Sequence, residues 1–471
     1  MAASREQFGS RLGFILAAAG SAVGIGNLVG FPVAATKGGG GAFLLLYVLF
    51  IIFVCLPVMM AELSLGRRTQ KDPIGAYTKE TESRSPWRIL GMLAFITPLM
   101  IAVFYMVVTV WIFGYFVEIA QGNLSELAKP DTFDNFVNSN QVFIYLFVVG
   151  AFVNLILVSG VKKGIERAAK IMMPLLFVML IGLVVFVLTL DNAEIGLRYY
   201  LVPDFSKINT AVVNSALSQA FFSLSLGMGI LITYGSYVNK SESISSSAKF
   251  VAIADTTVAF FAGLLILPAI FVINPNTDPA QLSDSSVGMI FTYLPKLFLA
   301  LQPLIGYIGA SVVAFVFFLL VFFAAITSLV SIVEVPTSSL IDTLKLKRKP
   351  ALLQLTLPLL VLSVACICSF GMIDWLTNFV TYAGKGKSFF DVIVDVFYDT
   401  ILPLNGLLIC LFVRFRWKKS MNLELEQGDG DYHDSLTKRY VDFSVVSIIP
   451  FILLLVFLNT ILQKFIGVEL F

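Results

Sequence analysis

GSAVGIGN at residues 20–27 and SLSLGMG at residues 223–229 are the two stretches that decide how this chain folds. Each places closely spaced glycines inside a long apolar run, and the two fall at corresponding places in successive halves of the chain. Inside a lipid bilayer, a broken helix exposes backbone N–H and C=O groups that are costly unless other groups satisfy them. A matched pair of such breaks therefore predicts a site for a substrate and ions at the middle of a membrane transporter.

The composition is that of a polytopic membrane protein. Apolar residues make up 58% of the 471 residues and charged residues only 13%, and the mean hydropathy is +0.89. A soluble chain of this length needs more charge to cover its surface. The formal net charge of +2 gives no indication of nucleic-acid binding. The four cysteines lie in apolar runs, where buried thiols are more typical than disulfides or metal ligands.

Apolar runs of roughly 20 residues, the length that spans a bilayer, predict eleven transmembrane helices. Numbered in chain order as helices 1 to 11, they lie at residues 12–35, 42–66, 88–120, 141–159, 165–190, 209–236, 244–273, 306–343, 351–370, 388–414 and 441–465. Lysine and arginine are concentrated in alternate loops, so the positive-inside rule puts the amino terminus, with Arg5 and Arg11, in the cytoplasm of a plasma-membrane protein. The odd number of helices then leaves the carboxyl terminus outside.

Helices 1 and 6 carry the glycine breaks, and they enter the membrane from opposite sides. A five-helix repeat that relates them is therefore inverted. We expect residues 1–190 to form the first repeat, residues 191–416 to form the second, and residues 417–471 to form a cytoplasmic loop followed by a peripheral helix 11.

Further motifs lie in order along the predicted helices: RLG at residues 11–13, FP at 31–32, GGGGAF at 38–43, Glu62 with GR at 66–67, GIER at 164–167 with Pro174, QAFFSLSLGMG at 219–229 and FAAITS at 323–328. Together with GSAVGIGN, they resemble the neurotransmitter:sodium symporter family over nearly the whole chain, and most closely its bacterial amino-acid transporter branch. The resemblance implies an all-α polytopic fold with a LeuT-type inverted repeat of five plus five helices, in which helices 1 and 6 are unwound at mid-membrane. It also implies that Glu62, a carboxylate inside helix 2, braces the unwound part of helix 6.

The resemblance implies two bound sodium ions, held by backbone carbonyls and polar side chains. The first sodium site maps to Ala22, Asn27, Ser223 and Asp255. The second lies between helices 1 and 8 and maps to Gly20, Val23, Ala324, Thr327 and Ser328. From the residues alone, the adjacent hydroxyls of helix 8 have an alternative, which is to bond back to the preceding helical turn.

The resemblance also implies an amino-acid site beside the sodium ions. The N–H groups near Gly24 and Gly26, with the hydroxyl of Tyr105, face the substrate carboxylate, and relatives that carry amines lacking a carboxylate have an aspartate in place of Gly24. The substrate ammonium and side chain map to Ala22, Ile101, Phe222, Ser223, Ser225, Met228, Ser328 and Ile332. Because this lining is apolar and holds no charge, it favours an apolar or aromatic L-amino acid.

Gate residues follow from the same resemblance. The inner gate maps to Arg5, Tyr237 and Asp342. On the outer side, Gly30 stands where relatives usually carry an arginine. The partner carboxylate on helix 10 is Asp395, with Asp391 and Asp399 as alternatives. Outer closure then rests on Tyr105 and Phe222, or on another cation.

Chloride is not expected, although many animal relatives require it as a counter-charge beside the first sodium ion. Asp255 puts a fixed carboxylate at that sodium ion, which supplies the negative charge. Ala259 stands where a bacterial relative has a glutamate, and it cannot contribute. Tyr47, Gln219 and Ser223 are the candidates for a remnant anion site.

These features favour a sodium-coupled symporter that imports an apolar or aromatic L-amino acid by alternating access, with the amino acid, two sodium ions and the lipid bilayer as its partners. An enzyme is not expected, because the sequence has no nucleophile–base pair, metal cluster or phosphate loop, and its one histidine, His433, lies in a polar loop. A non-transporting amino-acid sensor or a sodium-leak channel on the same fold is the alternative. The sequence leaves the particular amino acid and the oligomeric state open.

Overall fold

A computed structural model describes residues 5–81, 85–277, 286–429 and 432–468, and nearly all of them are helical. Helix 1 comprises Arg11–Ala22, Gly26–Gly30 and Phe31–Lys37, and helix 2 comprises Gly41–Phe50, Ile51–Cys55 and Leu56–Thr69. Helix 3 is Arg88–Ala120, helix 4 is Gln141–Val158, and helix 5 is Val161–Ile165 with Glu166–Leu188. Helix 6 comprises Thr210–Ser223 and Ile230–Gly235, helix 7 is Ile244–Ile273, helix 8 is Gln302–Leu344, and helix 9 is Arg348–Cys368. Helix 10 comprises Phe389–Ile393, Val394–Ile401, Leu402–Phe412 and Val413–Trp417. Helix 11 comprises Leu436–Phe443, Ser444–Ile448, Ile449–Ile461 and Leu462–Ile466.

Short elements connect these helices. The helical ones are Pro73–Glu80, Leu124–Leu127, Thr132–Val137, Ala193–Leu201, Phe205–Lys207, Ser286–Gly288, Met289–Tyr293, Leu294–Leu299, Asp374–Thr377 and Lys418–Glu426. The strands Val380–Tyr382 and Lys385–Lys387 pair antiparallel in a hairpin that precedes helix 10, with Thr381 opposite Gly386. This hairpin, and the helix Lys418–Glu426 within the predicted cytoplasmic loop, are additions to the predicted architecture.

Within the described ranges, nine helices are long and apolar enough to cross a membrane, and the two halves of helix 1 form one further span that is bent by 52°. Helix 6 consists of two shorter pieces on either side of its glycines. The predicted all-α polytopic fold is confirmed. The division of the chain into two repeats stays a prediction.

The two breaks arise from different local backbone conformations. Helix 1 ends at Ala22 because Val23 turns to an extended conformation, with ψ at 97°. Helix 6 ends at Ser223 and restarts at Ile230, and between them Ser225, Gly227 and Gly229 have φ angles of 55°, 75° and 70°. Glycine enters this left-handed region at little cost, whereas serine is strained there.

Buried side chains satisfy the backbone of the helix 6 break. The carboxylate of Glu62 accepts a 2.7 Å hydrogen bond from the N–H of Gly227, as the resemblance implies, and the amide of Asn405 donates a 2.8 Å bond to the Gly227 carbonyl. The hydroxyl of Ser225 donates to the carbonyl of Ser21 at 3.0 Å. The break in helix 6 is therefore bonded to helices 1, 2 and 10.

Helix 1 is surrounded by other helices rather than by lipid. It packs against helices 5, 7 and 8, and helix 8 in turn packs along helix 3. From Phe14 to Val29, helix 1 is buried on nearly every side, as expected for a central helix that carries a site. Helices 4 and 9 lie outside it and expose large apolar residues such as Phe147 and Leu353.

Helix 2 and the second half of helix 6 cross so closely that glycine is required at the contact. A side chain at Gly66 would overlap the carbonyl oxygen of Ile232, and one at Gly235 would overlap the carbonyl of Leu63. Because both obstacles are backbone atoms, they cannot rotate away. This crossing fixes the half of helix 6 that follows the break.

We predict that Gly66→Ala destabilises the protein by about 1–3 kcal/mol, the cost of overpacking a tight core. Gly182→Ala is the matched control, because Gly182 lies inside helix 5 and the added methyl group would meet no neighbouring helix within 4 Å. That control should be neutral or stabilising by up to about 1 kcal/mol, since alanine is the better helix former. Thermal unfolding in detergent measures both, and equal midpoints for the two variants would contradict the predicted contact.

Candidate functional site

The breaks of helices 1 and 6 meet at the centre of the molecule. A side chain at Gly24 would lie 2.7 Å from both the hydroxyl of Tyr105 and the hydroxyl of Ser328, and one at Gly26 would lie 2.9 Å from the ring of Phe222. The N–H of Ile25 donates to the Tyr105 hydroxyl at 3.3 Å. The sequence therefore needs glycine at both positions, because helices 3, 6 and 8 approach the backbone of helix 1 there.

A cluster of four buried polar side chains lies on one side of the helix 1 break. Asp255, which is fully buried, accepts hydrogen bonds from the amide of Asn27 at 2.7 Å, from the hydroxyl of Ser223 at 2.9 Å and from the hydroxyl of Tyr47 at 3.1 Å. The other amide atom of Asn27, Oδ1, accepts from the N–H of Gly24 at 3.1 Å. The structure thus brings together the side chains predicted for the first sodium site, and the break at Ala22 lies beside them.

Helix 8 supplies the predicted second cation site. The Ser328 hydroxyl lies 3.4 Å from the carbonyl oxygens of Gly20 and Val23, and 3.1 Å from that of Ser21. The Thr327 hydroxyl bonds back to the carbonyls of Phe323 and Ala324, both at 3.1 Å. Ser328 therefore reaches the carbonyls freed by the break, while Thr327 makes the alternative bond to its own helix.

The chemistry of these donors suits a hard monovalent cation. They are carbonyl oxygens, hydroxyls, an amide and a single carboxylate, which are ligands for sodium rather than for softer metals. Among the residues that the structure describes, no three His, Cys, Asp or Glu side chains form a metal-binding group. The residues present therefore fit the two implied sodium ions.

The predicted wall for the substrate side chain is apolar. Ile101, Met228 and Ile332 are buried within the core, and Phe222 is partly exposed. Phe222 also lines a cavity of about 410 Å³ between helices 1, 3, 6 and 10, together with Gly26, Tyr105, Phe390 and Tyr398. The Phe222 ring meets the Tyr398 ring edge-on, with 4.3 Å between their centroids.

The residues predicted for the inner gate are in contact. The Arg5 guanidinium lies 2.6 Å from the Asp342 carboxylate, donates to the Ser236 hydroxyl and stacks 4.8 Å above the ring of Tyr237. Burial by itself lowers the pKa of Arg5, but Tyr237 and Asp342 raise it above its usual value, so Arg5 stays charged. In addition, the N–H of Phe8 donates to the Tyr237 carbonyl at 3.1 Å, which holds the amino-terminal segment against helix 6.

A second charged pair supports the inner gate. The Tyr237 hydroxyl donates to Glu334 at 2.7 Å, and Glu334 in turn accepts two bonds from Arg348, at 2.7 and 2.9 Å. Glu334 is fully buried, so its charge requires these partners. Arg348 also bonds Glu6 at 3.0 Å, and the two pairs together join the amino-terminal segment to helices 8 and 9.

Asp395, which was predicted for the outer gate, bonds side chains of the hairpin and of helix 11. Its carboxylate bonds Lys387 of the hairpin at 2.7 Å and Lys464 of helix 11 at 2.8 Å, and it accepts from the hydroxyl of Tyr382 at 2.7 Å. A side chain at Gly30 would meet Gln219, 3.3 Å from its Oε1 atom. The cations that pair with Asp395 are therefore Lys387 and Lys464, and the residue at position 30 contributes none.

Sequence reasoning missed several residues of the site. Tyr398 packs on Phe222, Asn405 bonds the helix 6 break, Ser21 accepts from Ser225, and Lys464 binds Asp395. The signal available for Asn405 and Lys464 was a polar residue inside an apolar run. No such signal distinguished Tyr398 from the many other aromatic residues.

A sequence profile of the Sodium:neurotransmitter symporter family matches residues 5–130 and 133–402. The chain is 34% identical to the sodium-dependent transporter YhdH of Bacillus subtilis (strain 168), over 97% of both chains. It is 24% identical to the sodium-dependent serotonin transporter of Drosophila melanogaster, over 88% of this chain and 74% of that one. Among solved structures, MhsT in complex with L-phenylalanine matches with a TM-score of 0.83 and 36% identity, covering 97% of this chain and 99% of MhsT.

Proposed function

The chain belongs to the sodium:neurotransmitter symporter family, and we propose that it imports an apolar or aromatic L-amino acid together with two sodium ions, by alternating access. The family and the relatives that match the chain are sodium-dependent transporters rather than enzymes. The observation that carries the proposal is the meeting of the two helix breaks. There the N–H of Gly24 donates to Asn27, which itself bonds Asp255, and Gly24 also lies against Ser328 of helix 8.

In the proposed mechanism the first sodium ion binds the carbonyl of Ala22 and the side chains of Asn27, Ser223 and Asp255. The short distances between the last three support this role, because a small movement of each allows all of them to face one ion. The second sodium ion binds between helices 1 and 8, with Gly20, Val23, Ala324, Thr327 and Ser328 as its ligands. The approach of Ser328 to the freed carbonyls of helix 1 supports that site.

The amino acid lies against the helix 1 break in this proposal. Its carboxylate accepts from the N–H groups near Gly24 and Gly26 and from the Tyr105 hydroxyl, while its ammonium faces the carbonyls of Ala22, Phe222 and Ser223. Its side chain lies among Ile101, Ser225, Met228, Ser328 and Ile332. An apolar side chain suits the buried apolar wall, since a charged one would have no partner there. The L-phenylalanine in the MhsT complex supports the same class of substrate.

The contacts at the two ends support an outward-facing stage of the transport cycle. The Arg5–Asp342 pair closes the cytoplasmic side, while a cavity reaches inward from the opposite side as far as Phe222 and Tyr105. We propose that the amino terminus lies in the cytoplasm and the carboxyl terminus outside the plasma membrane. On that orientation, the repeats at residues 1–190 and 191–416 rock against each other around the central site.

A sodium gradient should drive uptake into proteoliposomes that contain the purified protein. Labelled large apolar L-amino acids, phenylalanine first, should accumulate with external sodium and not with potassium. The double variant Thr327→Ala with Ser328→Ala should abolish this uptake, because it removes two ligands of the second sodium ion. Labelled amino-acid uptake and labelled sodium flux are measured together.

The matched control for that variant is Thr337→Ala with Ser338→Ala, the same pair of residues on the same helix. Both of these hydroxyls are buried and bond back to helix 8, at Val333 and Val335, so the control should retain uptake. Wild-type uptake that ignores sodium would contradict symport. Sodium flux without amino acid would indicate a leak channel, and amino-acid binding without uptake would indicate a sensor.

Substrates should need a carboxylate. Phenylalanine should compete for uptake, whereas phenethylamine should not, because Gly24 leaves the amine without a protein carboxylate. Tyr105→Phe should weaken amino-acid binding by about 1.5–3 kcal/mol, the value of one hydrogen bond to a charged group. Tyr115→Phe is the matched control, since Tyr115 lies on the same helix as Tyr105 but its hydroxyl donates to the carbonyl of Phe291, in the short helix Met289–Tyr293. Competition by phenethylamine equal to that by phenylalanine would contradict the proposed carboxylate site.

Transport should not require chloride, because the Asp255 carboxylate supplies the negative charge beside the first sodium ion. Replacing chloride by gluconate should leave wild-type uptake unchanged. Asp255→Asn should lose uptake in gluconate and regain part of it in chloride, whereas Asp204→Asn, at an exposed loop position, should behave as wild type. A chloride requirement in the wild-type protein would refute this assignment of Asp255.

A further inference from the structure

Five side chains tie the outer halves of helices 10 and 11 together, and we call them the outer cluster: Tyr382, Lys387, Asp395, Asp399 and Lys464. Lys464 of helix 11 bonds both carboxylates of helix 10, at 2.8 Å from Asp395 and 2.6 Å from Asp399. Lys387 and Tyr382 bond Asp395, each at 2.7 Å. Lys464 is thus the cation of this cluster that joins Asp399 as well as Asp395.

The burial of the outer cluster makes these bonds necessary. The Asp395 side chain is 5% exposed and the Asp399 side chain 23% exposed, while Lys464 is 35% exposed. A carboxylate this far from water needs a bonded cation. Beside them, the ring of Phe465 packs 5.0 Å from the ring of Tyr382, so helix 11 also contacts the hairpin through apolar surface.

Asp399 directly follows Tyr398, the residue that packs on Phe222 above the proposed substrate site. Neighbouring residues of a helix point to different sides. When Lys464 holds Asp399 against helix 11, Tyr398 is therefore directed toward helix 6. Tyr398 also packs on Phe104 of helix 3, with 5.7 Å between ring centroids.

Two features make the position of the outer half of helix 10 depend on side-chain bonds: a π-helical segment and an adjacent cavity. Residues Val394–Ile401 form a π-helical segment, whose backbone ladder is less regular than that of an α-helix. A cavity of about 390 Å³ lies between helices 6, 10 and 11, and its lining includes Phe222, Tyr398, Asp399 and Lys464. This cavity leaves space beside the outer half of helix 10.

We propose that Lys464 is a positioning residue for transport, which sets the outer half of helix 10 and thereby determines whether Tyr398 covers Phe222. Helix 11 is then a working part of the outer gate. Through Lys464, helix 11 provides a cation for the outer gate, and Gly30 of helix 1 provides none. This inference rests on the proposed function, because the residues that Tyr398 covers are those of the proposed amino-acid site.

The test measures access to the outer cavity. A cysteine at Val108, which lines that cavity and is 8% exposed, reports opening through its rate of modification by a membrane-impermeant cationic thiol reagent in intact cells. Cys368 is replaced by serine, and the other native cysteines are buried. Lys464→Met should raise the modification rate about ten-fold or more, as expected for loss of a hydrogen bond between charged groups. Lys464→Arg should restore the wild-type rate to within about two-fold, because it keeps the charge.

Two controls separate positioning from general damage. Lys129→Met removes an exposed lysine that pairs with Glu126, and it should leave the rate unchanged. Asp399→Asn breaks the same bond from the side of helix 10 and should raise the rate as Lys464→Met does, so it decides the question if Lys464→Met does not fold. In uptake assays, Lys464→Met and Asp399→Asn should each raise KM several-fold while kcat changes less.

Equal modification rates for Lys464→Met, Asp399→Asn and Lys129→Met, all monodisperse in gel filtration, would overturn the proposal. A rise in rate that Lys464→Arg does not reverse would also overturn it, since a charge-dependent latch requires rescue. The accessibility measurement needs no substrate. A wild-type protein that fails to transport would therefore refute the proposed function and leave the result on Lys464 standing.

Discussion

The structure depends on one constraint: the backbone groups left free by two broken helices must find partners inside a membrane. Glu62 takes the N–H of Gly227, Asn405 takes its carbonyl, and Ser225 bonds the carbonyl of Ser21. These partners come from helices 2, 6 and 10. Satisfying the breaks therefore fixes how the central helices pack, and under the proposed function the helix 1 carbonyls beside Gly24 serve as sodium ligands.

The fold could be predicted well from local sequence, because each membrane helix must by itself be long and apolar enough to cross the bilayer. Helix 7 was predicted at residues 244–273, which are its bounds in the structure, and the glycine pairs located both breaks. Residues that act across the structure were harder to predict. Asn405 and Lys464 bond partners on distant helices, at Gly227 and at Asp395, and nothing in their own surroundings indicates those partners. The hairpin at Val380–Lys387 was missed because its strands are only three residues long.

Different kinds of contact hold the two ends of the proposed pathway. At the end predicted to be cytoplasmic, charged pairs join separate segments: Arg5 bonds Asp342, Arg348 bonds Glu334, and Arg67 bonds Glu424. At the end predicted to be outside, the ion pairs of Asp395 and Asp399 join helices 10 and 11 and the hairpin, and the rings of Phe222 and Tyr398 meet beside the cavity. An aromatic pair contributes about 0.5–1.5 kcal/mol beyond its buried area, whereas buried ion pairs cost more to break than that. Under the proposed function and orientation, this difference favours a state that is closed inside and accessible from outside.

Asn27 gives a local reason why sodium and an amino acid should bind together. In the structure its Oδ1 atom accepts from the N–H of Gly24, while its amide nitrogen donates to Asp255. Under the proposed function, a sodium ion at the first site takes Oδ1 as a ligand and competes with the N–H of Gly24 for it. The N–H that is released then faces the substrate carboxylate, so sodium prepares a donor that the amino acid uses. The reverse also holds, because an amino acid that accepts from Gly24 leaves Oδ1 free for sodium, and thermodynamic linkage requires the two effects to be equal.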